Sequence, residues 1–483
     1  MRKISTLLTA ALFVGGASAF AQADGPVLFN DLMGYQISSN GKYVVLGEVI
    51  ENNYVPSIYN VSDGIINTYT TASFLGEGGS YNLPAGNCVT DDGKLLGLEP
   101  SGNNILTALI GDGVVTGLGG LEYIPGKNEG YNATAISADG STICGYYRNP
   151  ETGIAYPFVY NTLTGETIQL PAPTTDFWGE EIYLVEPMAI SENGNIIAGL
   201  VRSSQYFMMT YDYPIIFSAN GKGEWSYTLP SKNLAGEDAS SSAQFQRSLA
   251  PALSQDGNIL VVGGEYEGYD WDNDSPSGNS TFYVFDPDGT YETITSSVSG
   301  LTPYQVLNDG TILAVTKQGY LVDMYSFEDG SLQNSYILLP GAQDFVSFID
   351  YLSTVAPAYA EWINENCQFE EEYWNDEIGG NDTRDVVVSG KVSVSEDLNS
   401  FLGGIKVLNS YYPSSAGDFE YTSYFMTTAE EEDTTGVASI GNENNGIYRV
   451  YNLQGVKVME GKDLNGLANG IYIINGKKVV IRN

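Results

Sequence analysis

Ala135-Ile136-Ser137-Ala138-Asp139-Gly140-Ser141-Thr142-Ile143-Cys144-Gly145 decides how this chain folds, because it returns as Ala189-Ile190-Ser191-Glu192-Asn193-Gly194-Asn195-Ile196-Ile197-Ala198-Gly199. Weaker copies begin near Gln36, Asn87, Ala252, Gln305 and Lys391, so the phrase occurs seven times. A phrase spaced at roughly 50 residues marks one supersecondary unit used over and over. Ala-Ile-Ser alternates apolar and polar residues, as a half-buried strand does. Asp-Gly or Asn-Gly then reads as a two-residue hairpin turn with positive φ angles. The Ile-x-Gly that follows reads as the return strand. The seventh copy, Ser395-Glu396-Asp397-Leu398-Asn399-Ser400-Phe401-Leu402-Gly403, lacks the turn glycine but keeps the spacing to the last one.

A second hairpin signal follows most copies. Pro56–Tyr59 leads to Asp63-Gly64, Pro157–Asn161 to Thr164-Gly165, and Pro214–Phe217 to Asn220-Gly221. Tyr283–Phe285 leads to Asp288-Gly289, and Met324–Phe327 to Asp329-Gly330. Two hairpins make four strands per unit, and a four-stranded sheet repeated about a ring is a propeller blade. The predicted fold is therefore all-β, a seven-bladed β-propeller of four-stranded antiparallel blades over residues 24–428. The seventh unit lacks a fourth strand of its own after Glu420–Thr428. Val27-Leu28-Phe29 is predicted to supply it, closing the ring and removing exposed edges. An open solenoid is the alternative, but its units are shorter and more regular.

The phrase Ala-Ile-Ser-x-Asp-Gly-x-Ile-x-Gly with its "Pro-Phe-Val-Tyr" strand resembles the HAF-type extracellular propeller repeats of secreted bacterial proteins. The resemblance covers about Gly34 to Thr428. It implies the fold and an extracellular setting. That family shares no catalytic residues, so it implies no reaction.

Residues 1–23 read as a signal peptide. Arg2 and Lys3 precede an apolar core, Leu7 to Val14, and Ala17-Ser18-Ala19 and Ala21-Gln22-Ala23 are candidate cleavage sites. The core is shorter than the ~20 residues of a membrane span, and no other segment suits one. At the other end, Ile447-Tyr448-Arg449-Val450-Tyr451-Asn452-Leu453-Gln454-Gly455 leads to Val456-Lys457-Val458 and then to Gly470-Ile471-Tyr472-Ile473. These residues are similar to the C-terminal sorting domain of type IX secretion substrates. The resemblance implies a small immunoglobulin-like β-sandwich over 447–483, read by secretion machinery. Residues 429–446 are acidic and read as the linker before it. The expected location is secreted or on the outer cell surface.

The chain has 59 acidic residues, 20 basic ones and a formal charge of −39. Nucleic acid and anionic membranes both select for basic patches, so neither is an expected partner. The acidity reads either as a solubilising surface or as calcium binding through carboxylate oxygens. Asp270-Trp271-Asp272-Asn273-Asp274 is the best local cluster for calcium, with Asp270, Asp272 and Asp274 as ligands. Ser275 and Thr281 stand where an EF-hand needs Gly and Glu, and a plain solvated loop is the competing reading.

The chain contains no histidine. That removes Ser-His and Cys-His nucleophiles and His-bound zinc together. Gly120–Gly126-Lys127 fails as a phosphate loop because its glycines are mis-spaced and Asn128 follows the lysine. Ser395-x-Asp397-x-Asn399 approaches a sialidase-type Asp-box but lacks the aromatic end. Paired carboxylates could still hydrolyse a glycoside, although most acids here fall in turns, where Asp serves local geometry.

The three cysteines, Cys88, Cys144 and Cys367, cannot all pair; Cys144 replaces an apolar strand residue and reads as core, and a Cys88–Cys144 bridge between neighbouring blades is the alternative, subject to strict geometry. An insertion at 341–385 breaks the repeat. In it Phe345, Phe348, Ile349, Leu352 and Val355 have helical spacing, Pro357 ends or kinks that helix, and Ala358–Asn366 suits a second. It reads either as a lid or as helices packed on the blade rims.

The chain has 35 Tyr, 18 Phe and 5 Trp. Many are ordinary sheet packers, but Trp178, Tyr206, Tyr211, Trp271, Tyr373 and Trp374 fall where no core is expected. Aromatics beside carboxylates suit sugar rings or a protein partner. The expectation is a monomeric, non-catalytic binding protein for glycan or protein, with no cofactor apart from optional Ca²⁺. A carboxylate-dependent glycan-active enzyme and a structural or adhesin role in the envelope are the alternatives.

Overall fold

The structure, a computed structural model, describes residues 26–50, 53–75, 87–124, 127, 129–175, 181–203, 211–230, 245–246, 251–270, 275–316, 321–322, 325–326, 334–375, 380–408, 419–428, 448–451, 457–461, 470–474 and 477–481. The expected signal peptide and linker lie outside these. One compact unit runs from Gly25 to Thr427, and the described tail strands belong to another.

Each phrase builds the first two strands of a sheet. In the third copy, Glu129–Ile136 pairs antiparallel with Thr142–Arg148, which pairs with Ala155–Asn161, which pairs with Glu166–Gln169. The first copy repeats this with Leu32–Ile37, Tyr43–Ile50, Asn53–Asn60 and Ile65–Thr68. The fourth and fifth copies follow the same order. Residues on both faces of the middle strands fill the gaps between sheets: Ile143, Cys144, Ile197, Val201, Phe217 and Phe282 are fully buried. Face-to-face stacking of such sheets makes the core.

The turn inside the phrase differs from the expected two-residue hairpin. Only its glycine has positive φ, as at Gly140 (74°) and Gly257 (76°). The loop is four residues long: Ser137 N–H donates to the Thr142 carbonyl and Gly140 N–H to the Ser137 carbonyl. Its Asp serves as a latch. Ser137 Oγ donates to Asp139 Oδ1 at 2.6 Å and accepts from Thr142 N at 3.0 Å, while Asp139 accepts from Ser141 N at 2.9 Å. Ser38, Thr90, Ser191, Ser254 and Ser395 make the same latch, and all are fully buried. The near-match to an Asp-box at Ser395 is one of these latches. In that copy Leu398 holds the glycine's place at φ 55°.

The turns also hold one another. Asn40 N–H donates to Asp91 Oδ1, Asp91 N–H to the Ala138 carbonyl, and Asp139 N–H to the Glu192 carbonyl. Glu192 N–H donates to the Gln255 carbonyl, Asp256 N–H to Asn308 Oδ1, and Asn308 N–H to the Glu396 carboxylate. Glu396 N–H returns to the Ser39 carbonyl at 2.9 Å. The belt is closed. The last sheet is closed likewise: Val27–Asn30 pairs with Phe419–Thr427, beside Ser400–Leu408 and Lys391–Val394. Phe29 is buried at this seam, 5.1 Å edge-on from Tyr59. Four-stranded antiparallel sheets linked in a closed circle through their inner turns form a β-propeller.

One strand expectation needs correction. The third strand of the sheet begun by Leu301–Val306 and Ile312–Thr316 is Ser335–Leu338, not Met324–Phe327. Apolar Ile337 and Leu338 are the residues that bury there. As expected, the first helix, α1 (Phe348–Val355), stops just before Pro357, and a second, α2 (Pro357–Asn366), opens on it, where its missing N–H is no loss. Both helices pack Phe348, Leu352, Ala360 and Ile363 against Val392, Phe401 and Tyr424 of the last sheet, so this part of the insertion is core rather than lid. The acidic run after it forms the strand Gln368–Asn375, paired with Gly380–Val387.

Cys88, Cys144 and Cys367 are free and buried in separate clusters. Among the described residues the tail forms one antiparallel sheet, in the order Lys457–Gly461, Tyr448–Tyr451, Gly470–Ile474, Lys477–Ile481. No helix among the described residues is long and apolar enough to cross a membrane.

Candidate functional site: the central channel

The inner strands of the sheets line a cavity of about 90 Å³ at the centre of the ring. Four inner strands carry a register shift three residues before the phrase's Ser position: at Gly34/Gln36, Ala133/Ala135, Pro187/Ala189 and Pro303/Gln305. A bulge leaves one residue out of the ladder and re-aims its side chain. Here two of the skipped residues are Tyr35 and Tyr304, and both line the cavity. The bulge also explains the phrase's last glycine. A Cβ on Gly145 would stand 2.1 Å from the Asn132 carbonyl, and one on Gly199 would stand 2.3 Å from that of Glu186.

Most polar groups of the wall are committed to the wall. Gln36 Oε1 accepts from Cys88 N at 2.8 Å, and Asn87 Nδ2 donates to the Ile136 carbonyl at 2.9 Å. Gln305 Nε2 donates to the Val394 carbonyl at 2.7 Å, and Ser393 Oγ accepts from Ile37 N at 3.2 Å. These bonds stitch each inner strand to the next.

Lys391 and Glu396 carry the charge. Lys391, half-buried, holds its Nζ 4.8 Å from the centre of the Tyr304 ring. Burial pushes its pKa down to about 8. Among the described residues no carboxylate lies within ion-pair distance of it. Glu396 sits on the belt, where burial pushes its carboxyl up to about 7; the Asn308 N–H opposes this, and Asp309, Asp256 and Glu192 add to it. Asp91 is also raised, first by burial. Asp256 and Asp397 behave oppositely: burial would raise them, but the Ser254 or Ser395 hydroxyl and the loop's own donors outweigh it and hold them below the usual range.

The residues singled out by sequence do not meet here. Asp270 ends the strand Leu260–Asp270, paired through the backbone with Ser275. Asp272, Asp274 and Trp271 lie outside the described residues, as do Trp178 and Tyr206. Tyr211 opens the strand Tyr211–Ala219, and Tyr373 and Trp374 pair with Asp382 and Asn381; the structure does not describe their side chains. Among the described residues no group of His, Cys, Asp or Glu is placed to hold a metal. Sequence reasoning missed Tyr35, Tyr304, Lys391 and Glu396. A lysine at an inner-strand position of so acidic a chain was the available signal.

No family model matches the chain, and no curated protein matches it. Solved structures to which it is similar include TolB from Acinetobacter baumannii, at 13% identity and TM-score 0.36 over 56% of this chain; the match spans 55% of that chain. The β-propeller domain of the Trilobed protease from Pyrococcus furiosus is 12% identical, with TM-score 0.38, over 66% of this chain and 84% of that one. Oligogalacturonate lyase from Vibrio parahaemolyticus is 9% identical, with TM-score 0.46, over 82% of this chain and 91% of that one.

Proposed function

We propose that this protein is a secreted or surface-displayed seven-bladed propeller that binds glycan or protein without transforming it. In this reading residues 1–23 are its signal peptide. The 447–483 tail is a sorting-type β domain addressed to type IX secretion machinery, and Ca²⁺ at Asp270, Asp272 and Asp274 is an optional structural ion. The observation that supports a binding role is the use of the turn carboxylates. Asp139, Asp256 and Asp397 are occupied as latches, while aromatic, amide and lysine side chains face the channel. Such a lining suits recognition of hydroxyls and ring faces. The test is a broad glycan array with purified protein, run beside a glycan-hydrolysis screen. Binding without turnover supports the proposal, and absence of glycan and protein binding at high protein concentration overturns it.

A second reading, a carboxylate-dependent glycan-active enzyme, is favoured by one observation. Glu396 titrates at about 7 on the rim of the channel, with Glu192, Asp256 and Asp309 acting on it. A general acid needs a pKa near the working pH. Turnover lost in E396Q supports this reading over the first.

A further inference from the structure

Two side chains of the channel wall have donor capacity that the wall does not use. Lys391 and Ser393 are two residues apart on the strand Lys391–Val394. The period of a strand is two, so both project from the same face, and both line the cavity. Among the described residues the Lys391 ammonium has only the face of the Tyr304 ring against it. Ser393 Oγ accepts a hydrogen bond from Ile37 N, and its own O–H donates to no acceptor among the described residues. A half-buried cation without a counter-charge is unfavourable, and burial moves its pKa down accordingly. Among the described residues of the inner wall no carboxylate compensates it: Glu396 is occupied by Asn308 at the belt.

We propose that Lys391 and Ser393 hold the carboxylate of a small organic acid in the channel. One oxygen accepts from the Lys391 ammonium and the other from the Ser393 hydroxyl. Charge-assisted bonds of this kind are short and strong in a confined site. The Tyr304 ring backs the ammonium and keeps it aimed along the wall. Gln255 lines the same cavity, and its Oε1 is buried with no donor among the described residues. That acceptor suits a hydroxyl or amine at the other end of the same acid. The ligand class is therefore a short hydroxy or amino acid rather than a simple fatty acid. The inference deepens the reading of the channel as a binding site, but its test is separate. The glycan and protein assays read any surface of the protein, the channel included, whereas the loss of acetate binding in K391M and S393A reads this pair alone.

Acetate is the minimal probe. The full chain is ¹³C-methylated at lysine and the Lys391 resonance is assigned by its loss in K391M. Excess sodium acetate is compared with sodium chloride at equal ionic strength. The expected result is a rise in the Lys391 pKa of about one unit with acetate and none with chloride, since an anion favours the charged form. Saturation-transfer NMR on acetate reports binding to the unmodified chain. The signal is expected to vanish in K391M, to weaken several-fold in S393A, and to persist in K391R. Equal shifts with chloride overturn the carboxylate assignment. An acetate signal unchanged in folded K391M overturns the site.

Discussion

Ser254→Ala tests whether the recurring Ser-x-Asp-Gly phrase is a structural latch. Ser254 Oγ is fully buried, accepts from Ile259 N at 3.0 Å and donates to Asp256 Oδ1 at 2.7 Å. Each intramolecular hydrogen bond contributes about 1 kcal/mol net, and a buried donor left without a partner costs about 1–3 kcal/mol. Asp256 keeps two donors, Asn258 N and Nδ2, so its loss is partial. Ile259 N–H keeps none of its side-chain support. The expected destabilisation is about 2–3 kcal/mol, a large part of the ~5–15 kcal/mol that holds a typical domain together. Urea denaturation of the full chain reads it, with S254T as control. Threonine keeps the hydroxyl and occurs naturally as Thr90 in the second phrase.

The deficit also has a pH signature. Asp256 is held below its ordinary pKa partly by the Ser254 hydroxyl. A depressed carboxylate contributes stability that is present above the unfolded-state pKa and lost as pH falls through the folded one. The gap between S254A and the parent is therefore widest at neutral pH and narrows below the ordinary carboxylate range. The sixth phrase supplies an internal comparison. Leu307 stands at the Ser position there, and Thr311 Oγ1 is left buried without a partner. A loss below about 0.5 kcal/mol, within the range of neutral surface changes, would refute the latch. A gap independent of pH would refute the role given to Asp256.

Glu396→Gln is expected to raise the melting temperature at pH 8 and to leave it unchanged near pH 4. The folded carboxyl titrates at about 7 against an ordinary 4.5, so wild-type stability falls as pH rises between those values. The glutamine carbonyl still accepts from Asn308 N. A melting-temperature gain of equal size at both pH values counts against the electrostatic account. For calcium, millimolar Ca²⁺ is expected to raise the melting temperature; an ion at 100-fold excess over Kd is worth roughly 2.7 kcal/mol. Replacing Asp270, Asp272 and Asp274 with Asn removes that gain if they bind the ion, and an unchanged response rejects them. Deleting 447–483 is expected to leave the main unfolding transition in calorimetry in place while altering export. Loss of that transition makes the tail part of the propeller's own core.

The fold was legible because the phrase combines three physical signals: period-two alternation, a positive-φ glycine and a fixed return distance. Even the closing strand was readable, since Val27-Leu28-Phe29 is apolar and the last unit is short of one strand. The errors have equally local causes. Asp-Gly suggested a two-residue turn because the dipeptide is shared by several turn types, and the buried hydroxyl that latches most copies of this longer one was not read as a turn signal. Met324–Phe327 looked like a strand before Asp-Gly, yet Ser335–Leu338 buries better against Ile312–Thr316.

The site was less legible because the repeat hides it. Carboxylates recur in the phrase for the sake of its loop, so acidity and Asp-rich spacing point to turns rather than to chemistry. Information about binding resides instead in departures from the repeat, and the seventh copy holds most of them. Lys391 puts a cation on an inner strand, and Ser393 stands where Ala135, Ala189 and Ala252 stand in other copies. Glu396, like Asp91 and Asn308, replaces a backbone staple with a side-chain one. Leu398 accepts a left-handed conformation that costs roughly 1–2 kcal/mol for a side chain with a Cβ. It does so while packing against the core that α1 and α2 share with the last sheet. Natural sequences break local rules chiefly at strained or functional places. That the breaks cluster in the copy carrying Lys391 is the reason to look for a ligand in the channel before the rim aromatics.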